Sequence, residues 1–329
     1  MSTYIREIVR ALRAEITTPL SVVVQEDAVA ELPEGVDPIL RPVCVGARRA
    51  IEGLRPVGPA ALIHGLDVDL PWRSSAPTVS TVHDLAVFDV PWAFSRYRGA
   101  GERRLVSRAI RQADAVIAVS AFTAGRVAAL MGRAASVIHE APASNARIVD
   151  ERERASVRSK HALPEEFVLH VGTVEPRKDV PTLAAACAKA GLPLVLAGRV
   201  ADEALVPSGV RSLGFVDAGD IPGLYAAATV VAYPSVYEGF GLPPLEAMTA
   251  GAAVVATRAA SLPEVLGDGA VLVSAGDPSE LADAIKALAD DPAHRSELID
   301  RGRRHAATFN WSTAAKATVD VYRSLGVRC

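Results

Sequence analysis

Short apolar runs separated by amphipathic stretches recur through most of the chain. In the second half the runs at 167–171, Leu194–Ala197, Val230–Tyr233, 253–256 and 270–273 are rich in Val, Leu and Ala and are closed by Gly, Pro or Ser. Continuous runs of that length predict strands buried on both faces. Between them Val180–Ala190 and 279–289 carry helical spacing, the latter opened by Asp277-Pro278 with Ser279 and Glu280 in its first turn. Strands alternating with helices imply a parallel sheet covered on both sides, the doubly wound α/β arrangement. The first half repeats the pattern more faintly at 20–24, 60–63, Thr78–Val82 and 115–119. The last stretch, 311–325, reads as a separate amphipathic helix that Asn310 or Ser312 caps. The pattern therefore predicts two doubly wound, Rossmann-like domains; in one familiar architecture two such domains face each other across a cleft, with ligands at the carboxyl ends of the strands.

Length agrees: 329 residues at ~150 per domain suggest two domains. The charged stretch 150–160 reads as a linker or an exposed helix, which places a boundary near residue 160. The expected division is 1–160, 161–310 and a closing helix, 311–329, which crosses back to the first domain in the proteins this chain resembles. A formal net charge of −3 excludes a generally basic nucleic-acid binder and a disordered polyelectrolyte. Cys44, Cys187 and Cys329 are far apart, and no Cys-x-x-Cys occurs. A disulfide framework or structural zinc site is not expected, and a reducing, cytoplasmic setting fits. The N-terminus lacks the unbroken apolar core of a signal peptide, and the charge-free window 221–237 is broken by Pro222, Gly223 and Pro234. A soluble chain is expected.

The chemistry concentrates in two loops. The first is Pro234-Ser-Val-Tyr-Glu238-Gly-Phe-Gly-Leu-Pro-Pro-Leu-Glu246. A strand ends in Pro-Ser, a Gly-Phe-Gly loop follows, and a helix starts near the two prolines. A glycine loop running into a helix N-terminus offers backbone N–H groups and a positive dipole end to an anionic phosphate. Gly239 and Gly241 allow close backbone approach. Glu238 lies on the loop and Glu246 in the early turns of the helix, where carboxylates can accept from sugar hydroxyls; a capped helix with surface acids is the plainer reading. The second loop, Gly172-Thr-Val-Glu-Pro-Arg177-Lys178-Asp179, follows the strand at 167–171. Two adjacent cations there can neutralise a diphosphate leaving group. A solvated basic turn is the alternative, but both loops belong to βα connections of one sheet.

The segments HVGTVEPRKD, LGFVDAGDIPGLYAAA, YPSVYEGFGLPPLEAMTAGAAVVAT, SLPEVLGDGAVLV and GDPSELADAI together resemble the nucleotide-sugar-binding domain of retaining GT-B glycosyltransferases of group 1, or family 4. STVHDLAVFDVPWAFS and ADAVIAVSAFTAGRV agree more loosely in the first half. The resemblance implies that Arg177 and Lys178 hold the donor diphosphate and that Glu246 binds the ribose hydroxyls. It implies that Glu238 and the backbone of Gly239, Phe240 and Gly241 hold the transferred sugar, that Leu242 belongs to the donor-binding set, and that His83 sits beside the reacting sugar. Gly172, Thr173 and Val216 complete the implied donor set; the family often has Arg where Thr173 stands, a charge Arg177 would then supply. The implied activity is retaining transfer of a hexosyl group, with no metal or other cofactor, from a nucleotide-diphosphate sugar to a glycan or lipid-linked acceptor. The variant VGTVEPRKD looks most like bacterial cell-envelope mannosyltransferases. A nucleotide-sugar epimerase of the same fold and a non-catalytic binding subunit are the rival readings.

Other signals carry less. His64 follows an apolar run as His83 does, and either is open to a structural role. Asp67-Val-Asp69 is an Asp-x-Asp triplet, read as a loop. Arg96, Arg98, Arg103, Arg104, Arg108 and Arg111 surround one acid, Glu102, on a predicted helix. That face suits an anionic membrane surface or a solvated helix, with no nucleic-acid module beside it. The family usually opens with a strand and a Gly-rich loop, whereas this chain opens on Ser2-Thr-Tyr-Ile-Arg-Glu-Ile-Val, which resembles the helix that follows them. The expectation is that a Val/Ile-rich strand and a Gly turn lie upstream.

Overall fold

The computed structural model describes residues 3–328 apart from Val68, with the side chains of Ala47 and Ala50 also left aside. Ser2, Cys329 and the centre of the Asp-x-Asp triplet thus lie outside the described residues. The chain divides into two units: residues up to Ala141 together with those from Asn310 onward, and Pro142–Phe309. Among the described residues no helix is long and apolar enough to cross a membrane, and Cys44 and Cys187 are buried free thiols.

The first unit runs α1 (Thr3–Glu15), β1 (Ser21–Gln25), β2 (Asp37–Arg41), α2 (Gly46–Gly53), β3 (Ile63–Gly65), β4 (Thr78–Val82), α3 (Ala86–Asp89), α4 (Arg96–Gln112), β5 (Ala115–Ala118), α5 (Ala121–Met131) and β6 (Ser136–Val137). β3, β4, β5 and β6 form a parallel sheet in that order. The strand expected at 20–24 lies elsewhere: β1 pairs only with β2, in a separate two-stranded ladder. The run at 60–63 also shifts, since pairing to β4 begins only at Ile63 and alanine has little preference for strands. α5 shows how local sequence sets an element. Ser120 accepts from the Thr123 N–H at 3.0 Å, and Gly132, at φ +65°, closes the helix in a left-handed cap. The closing helix Trp311–Ser324 belongs to this unit. Its Ala314, Ala315, Val319 and Tyr322 share one core with Tyr4, Ile8, Val9 and Leu12 of α1.

The second unit contains α6 (Glu151–Lys160), β7 (Val168–Val171), α7 (Val180–Ala190), β8 (Leu194–Ala197), β9 (Arg211–Ser212), α8 (Ile221–Ala227), β10 (Val230–Tyr233), α9 (Leu242–Thr249), β11 (Val254–Thr257), α10 (Leu262–Leu266), β12 (Val271–Val273), α11 (Pro278–Asp290) and α12 (Pro292–Ala306). It starts at Pro142, earlier than the boundary read near 160. The reason is that the stretch is the exposed helix of the two alternatives, α6, and it is attached to this unit: its one buried residue, Val157, fills the space that a side chain on Gly223 of α8 would take, and Arg158 donates to Ala227 O at 3.0 Å.

Its six parallel strands are ordered β12-β11-β10-β7-β8-β9. The chain runs from β7 to one edge, then returns to β10 on the other side of β7. This reversal opens a crevice between the loops that leave β7 and β10, the usual ligand position in such sheets. β7 and β10 pair only through Val168–Val230 and Leu169–Val231. Beyond that point they part, and the buried His170 ring fills the wedge, its Nδ1 2.9 Å from Ala232 O.

Candidate functional site

The two loops singled out by sequence meet at this crevice. Pro176–Lys178 forms one helical turn after β7, and the backbone N–H of Val236 donates to Arg177 O at 2.9 Å, tying the loops together. Lys178 Nζ donates to Glu238 Oε1 at 2.5 Å. Arg177 donates to Glu238 Oε2 at 3.0 Å and to Tyr237 O at 3.0 Å, while its Nε lies 2.7 Å from Glu175. Ser235 Oγ adds a third donor to Glu238, at 2.7 Å. Glu238 is only 7% exposed and Lys178 9%. Burial alone raises a carboxyl pKa, but the two cations and the hydrogen bonds from Lys178 and Ser235 outweigh it and hold Glu238 down to about 2. Glu238 is therefore an internal counter-ion rather than a surface acid. Arg177 is shared between two carboxylates, so it braces the loop.

The acidic corner is fixed from behind. Ser261 Oγ donates to Glu238 O and Phe240 O, each at 2.8 Å, and Thr257 Oγ1 donates to Ser235 O. Gly241 sits at φ +113°, and a Cβ there would lie 2.9 Å from Leu262, so only glycine makes this turn without strain. Phe240 buries its ring edge-on against Phe309, with centroids 5.9 Å apart, so the ring is not offered to a ligand. Because Pro243 and Pro244 lack N–H groups, Leu242 is the only donor in the first three residues of α9.

Glu246 is half-buried, and its Oε1 accepts from the Ala143 N–H at 3.3 Å. Gly172 stands at the end of β7 at φ +148°; the neighbouring Gly198 approaches it so closely that a Cβ would lie 2.0 Å from Gly172 O. Thr173 is half-buried beside it, and Val216 is buried on the connection after β9.

Ser235, Thr257, Ser261 and His170 escaped the sequence reading. Single Ser and Thr residues carry no periodic signal, and His170 reads as an interruption of an apolar strand. His170 is fully buried and its Nε2 has no hydrogen-bond partner. Burial and the nearby Lys178 outweigh the Ala232 carbonyl and Glu238, lowering its pKa to about 4, so it is neutral.

His83 belongs to the first unit, at the end of β4. Nδ1 lies 2.9 Å from Glu140 Oε1 and Nε2 2.9 Å from Leu66 O, with the Tyr4 ring edge-on at 4.5 Å. His64 bridges Tyr322 Oη at 2.7 Å and Thr81 Oγ1 at 2.8 Å; burial, with His83 nearby, lowers its pKa to about 3. That gives His64 a structural role, pinning the closing helix to β4. Asp69 packs against Gly53, and its carboxyl pKa is raised by burial. Among the described residues no three His, Cys, Asp or Glu side chains converge as a metal site.

Two family models match the chain: "Glycosyltransferase Family 4" over residues 1–142 and "Glycosyl transferases group 1" over residues 151–305. The chain is similar to the O-antigen chain mannosyltransferase B of Escherichia coli, at 30% identity over 284 residues, covering 80% of this chain and 74% of that protein. In fold it resembles sucrose-phosphate synthase from Thermosynechococcus elongatus, with a TM-score of 0.78 and 24% identity over 98% of this chain and 92% of that one. It also resembles HepE of Anabaena, solved in complex with UDP and glucose, with a TM-score of 0.75 and 21% identity over 98% and 96% of the two chains.

Proposed function

This chain belongs to family 4 of the glycosyltransferases and is a glycosyltransferase of GT-B fold; from that premise we propose that it moves a hexosyl group, mannosyl in the first instance, from a nucleotide-diphosphate sugar to a glycan or lipid-linked acceptor of the cell envelope, with retention of configuration. The observation that carries this reading is the buried Lys178–Glu238–Arg177 corner at the crevice between β7 and β10. A diphosphate arriving there meets the Lys178 ammonium, the braced Arg177 and the loop amides, donors that are already oriented and poorly hydrated. Such donors take up the charge on the departing phosphate, so the transfer runs without a metal. Glu246 takes the ribose hydroxyls, and Glu238, with its remaining lone pairs, a hydroxyl of the transferred sugar. The family resemblance assigns His83 a part in the transfer.

The test is a thermal-shift screen of UDP, GDP and dTDP and their sugars, followed by product analysis in EDTA. One nucleotide should stabilise the parent protein, with the effect lost in Lys178→Ala and Glu246→Ala, and the product should be α-linked. Stabilisation unchanged in both variants removes the site assignment; turnover abolished by EDTA removes the metal-free reading.

The acceptor side of the proposal includes the surface of α4. Tyr97, Arg104, Arg108 and Arg111 recur at helical spacing, and Arg108 stacks on Trp72 at 4.7 Å. Tyr97, Trp92 and Trp72 are 94%, 62% and 59% exposed. Arginines interleaved with exposed aromatics suit an anionic lipid surface, such as the inner face of the cell membrane. Sedimentation with phosphatidylglycerol vesicles should exceed that with phosphatidylcholine, and Arg104→Glu with Arg111→Glu should abolish the difference.

A further inference from the structure

Glu140 has no part in the motifs that carry the family resemblance, yet it is almost fully buried, 4% exposed, with its carboxylate 2.9 Å from His83 Nδ1. The other ring nitrogen of His83 points at a backbone carbonyl, Leu66 O, also at 2.9 Å. Neither partner can donate: a carbonyl never does, and a carboxylate does so only when protonated. With Glu140 ionised, both imidazole nitrogens must carry hydrogen for both contacts to be hydrogen bonds, and a ring with two N–H groups is a cation.

We propose that Glu140 is a positioning residue that locks His83 as a fixed imidazolium, so that His83 serves the transfer as a permanent positive charge and not as a proton acceptor.

The surroundings agree from every side. Tyr4 of α1 covers the ring edge-on, and its own hydroxyl is raised beyond the usual tyrosine range, so it stays neutral. His64 of β3 is neutral, held by Tyr322 and Thr81. Asp67, after β3, adds a second negative charge to the field at His83. Asp84 is next in sequence, and its side chain accepts from the Ala86 N–H; Glu102 of α4 senses both Asp67 and Asp84. Burial lowers the His83 pKa, but the Glu140 bond and charge, the Leu66 carbonyl and Asp67 overcome it and lift the value to about 9. A fixed cation beside a reacting centre stabilises developing negative charge with no proton transfer and no reorganisation. A general base at this position would need a free lone pair, and His83 has none.

The role in transfer rests on the function proposed above; the charge state does not, and the two are separable. The imidazole of His83 is followed by nitrogen-15 NMR in the full-length protein, assigned by its loss in His83→Asn. A midpoint above pH 8 in the parent is expected. In Glu140→Gln it should fall by about one to three pH units, the usual effect of losing a charge at contact distance, and Glu140→Asp should restore part of the difference. A parent midpoint near 6.5, or a midpoint unmoved in Glu140→Gln, overturns the proposal. Should Glu140→Gln not fold, as circular dichroism would show, the parent midpoint and the Glu140→Asp variant decide. Transfer rates give the second readout: the parent should hold its rate from pH 6.5 to 8.5, whereas Glu140→Gln should lose about tenfold across that range. If the NMR midpoint moves as stated but His83→Asn keeps full turnover, the pairing stands and the assignment of His83 to the reaction falls.

Discussion

Glu238 holds a full negative charge in a place with little water, because Lys178, Arg177 and Ser235 replace the solvent it has lost. The carboxylate and its cations stand or fall together. Removing one member leaves a buried charge without a partner, typically a loss of about 3–5 kcal/mol. Replacing Glu238 by Gln should therefore destabilise the second unit as well as weaken donor binding. The acid dependence follows from the same contacts. The Glu238 pKa is lowered in the folded state to about 2, below the 4.5 of a free glutamate. The stabilisation is complete above pH ~4.5 and disappears as pH falls toward 2, about 3 kcal/mol across that window. Urea unfolding of the parent between pH 6 and 2.5 should show this decline, and Glu238→Gln should show a shallower one. Equal slopes would mean that Glu238 is not the counter-ion described here.

Glycine geometry sets the loops that bring these side chains together. Gly198, at the end of β8, touches the carbonyl of Gly172 at the end of β7. In Gly198→Ala the methyl group would have to displace Gly172 by more than an ångström, and the backbone there is at φ +144°. The loop after β7 carries Arg177 and Lys178, so the cost, ~3 kcal/mol or more, should appear as lost nucleotide stabilisation. Gly219→Ala, where a Cβ meets nothing within 4 Å, should behave as the parent. Elements of this kind differ in how far the sequence discloses them. β8, β10 and α7 have the bounds that their apolar spacing predicts, because continuous burial on both faces demands continuous apolar residues. β6 and β9 are two residues long and β2, Asp-Pro-Ile-Leu-Arg, is mostly exposed, so no periodicity marks them. The Arg-Lys turn and the Glu-Gly-Phe-Gly corner were legible as residue types at strand ends. Their hydrogen bonds were not, since Ser235, Thr257 and Ser261 act through oxygen atoms that any surface Ser or Thr also carries. His83 illustrates the same limit: its place at a strand end was visible, but Glu140, 57 residues away, was not.

At the scale of the molecule, each unit has its own apolar core, and the closing helix belongs to the core of the first. Tyr322 is the largest of its buried side chains. The ring meets His64 edge-on at 5.6 Å, and the hydroxyl pairs with His64 Nδ1 at 2.7 Å. His64 in turn holds Thr81 of β4, and Thr81 lies 3.2 Å from the Tyr4 hydroxyl of α1. One side chain on the last helix thus supports the first helix and a central strand by an unbroken chain of polar contacts. Tyr322→Ala removes a buried aromatic ring, a loss of about 3–5 kcal/mol, and leaves a buried imidazole nitrogen without its partner, which adds to it. The consequence should be confined to one core. Hydrogen exchange of the variant should accelerate in α1, β3 and β4, while β7, β8, β10 and β11 keep the protection of the parent. Tyr322→Phe keeps the ring and loses only the hydroxyl, so it should show the same pattern at about a third of the cost. Equal loss of protection in β7–β12 would show that the two cores unfold as one, and the division of the chain at Ala141 and Asn310 would then have no energetic meaning.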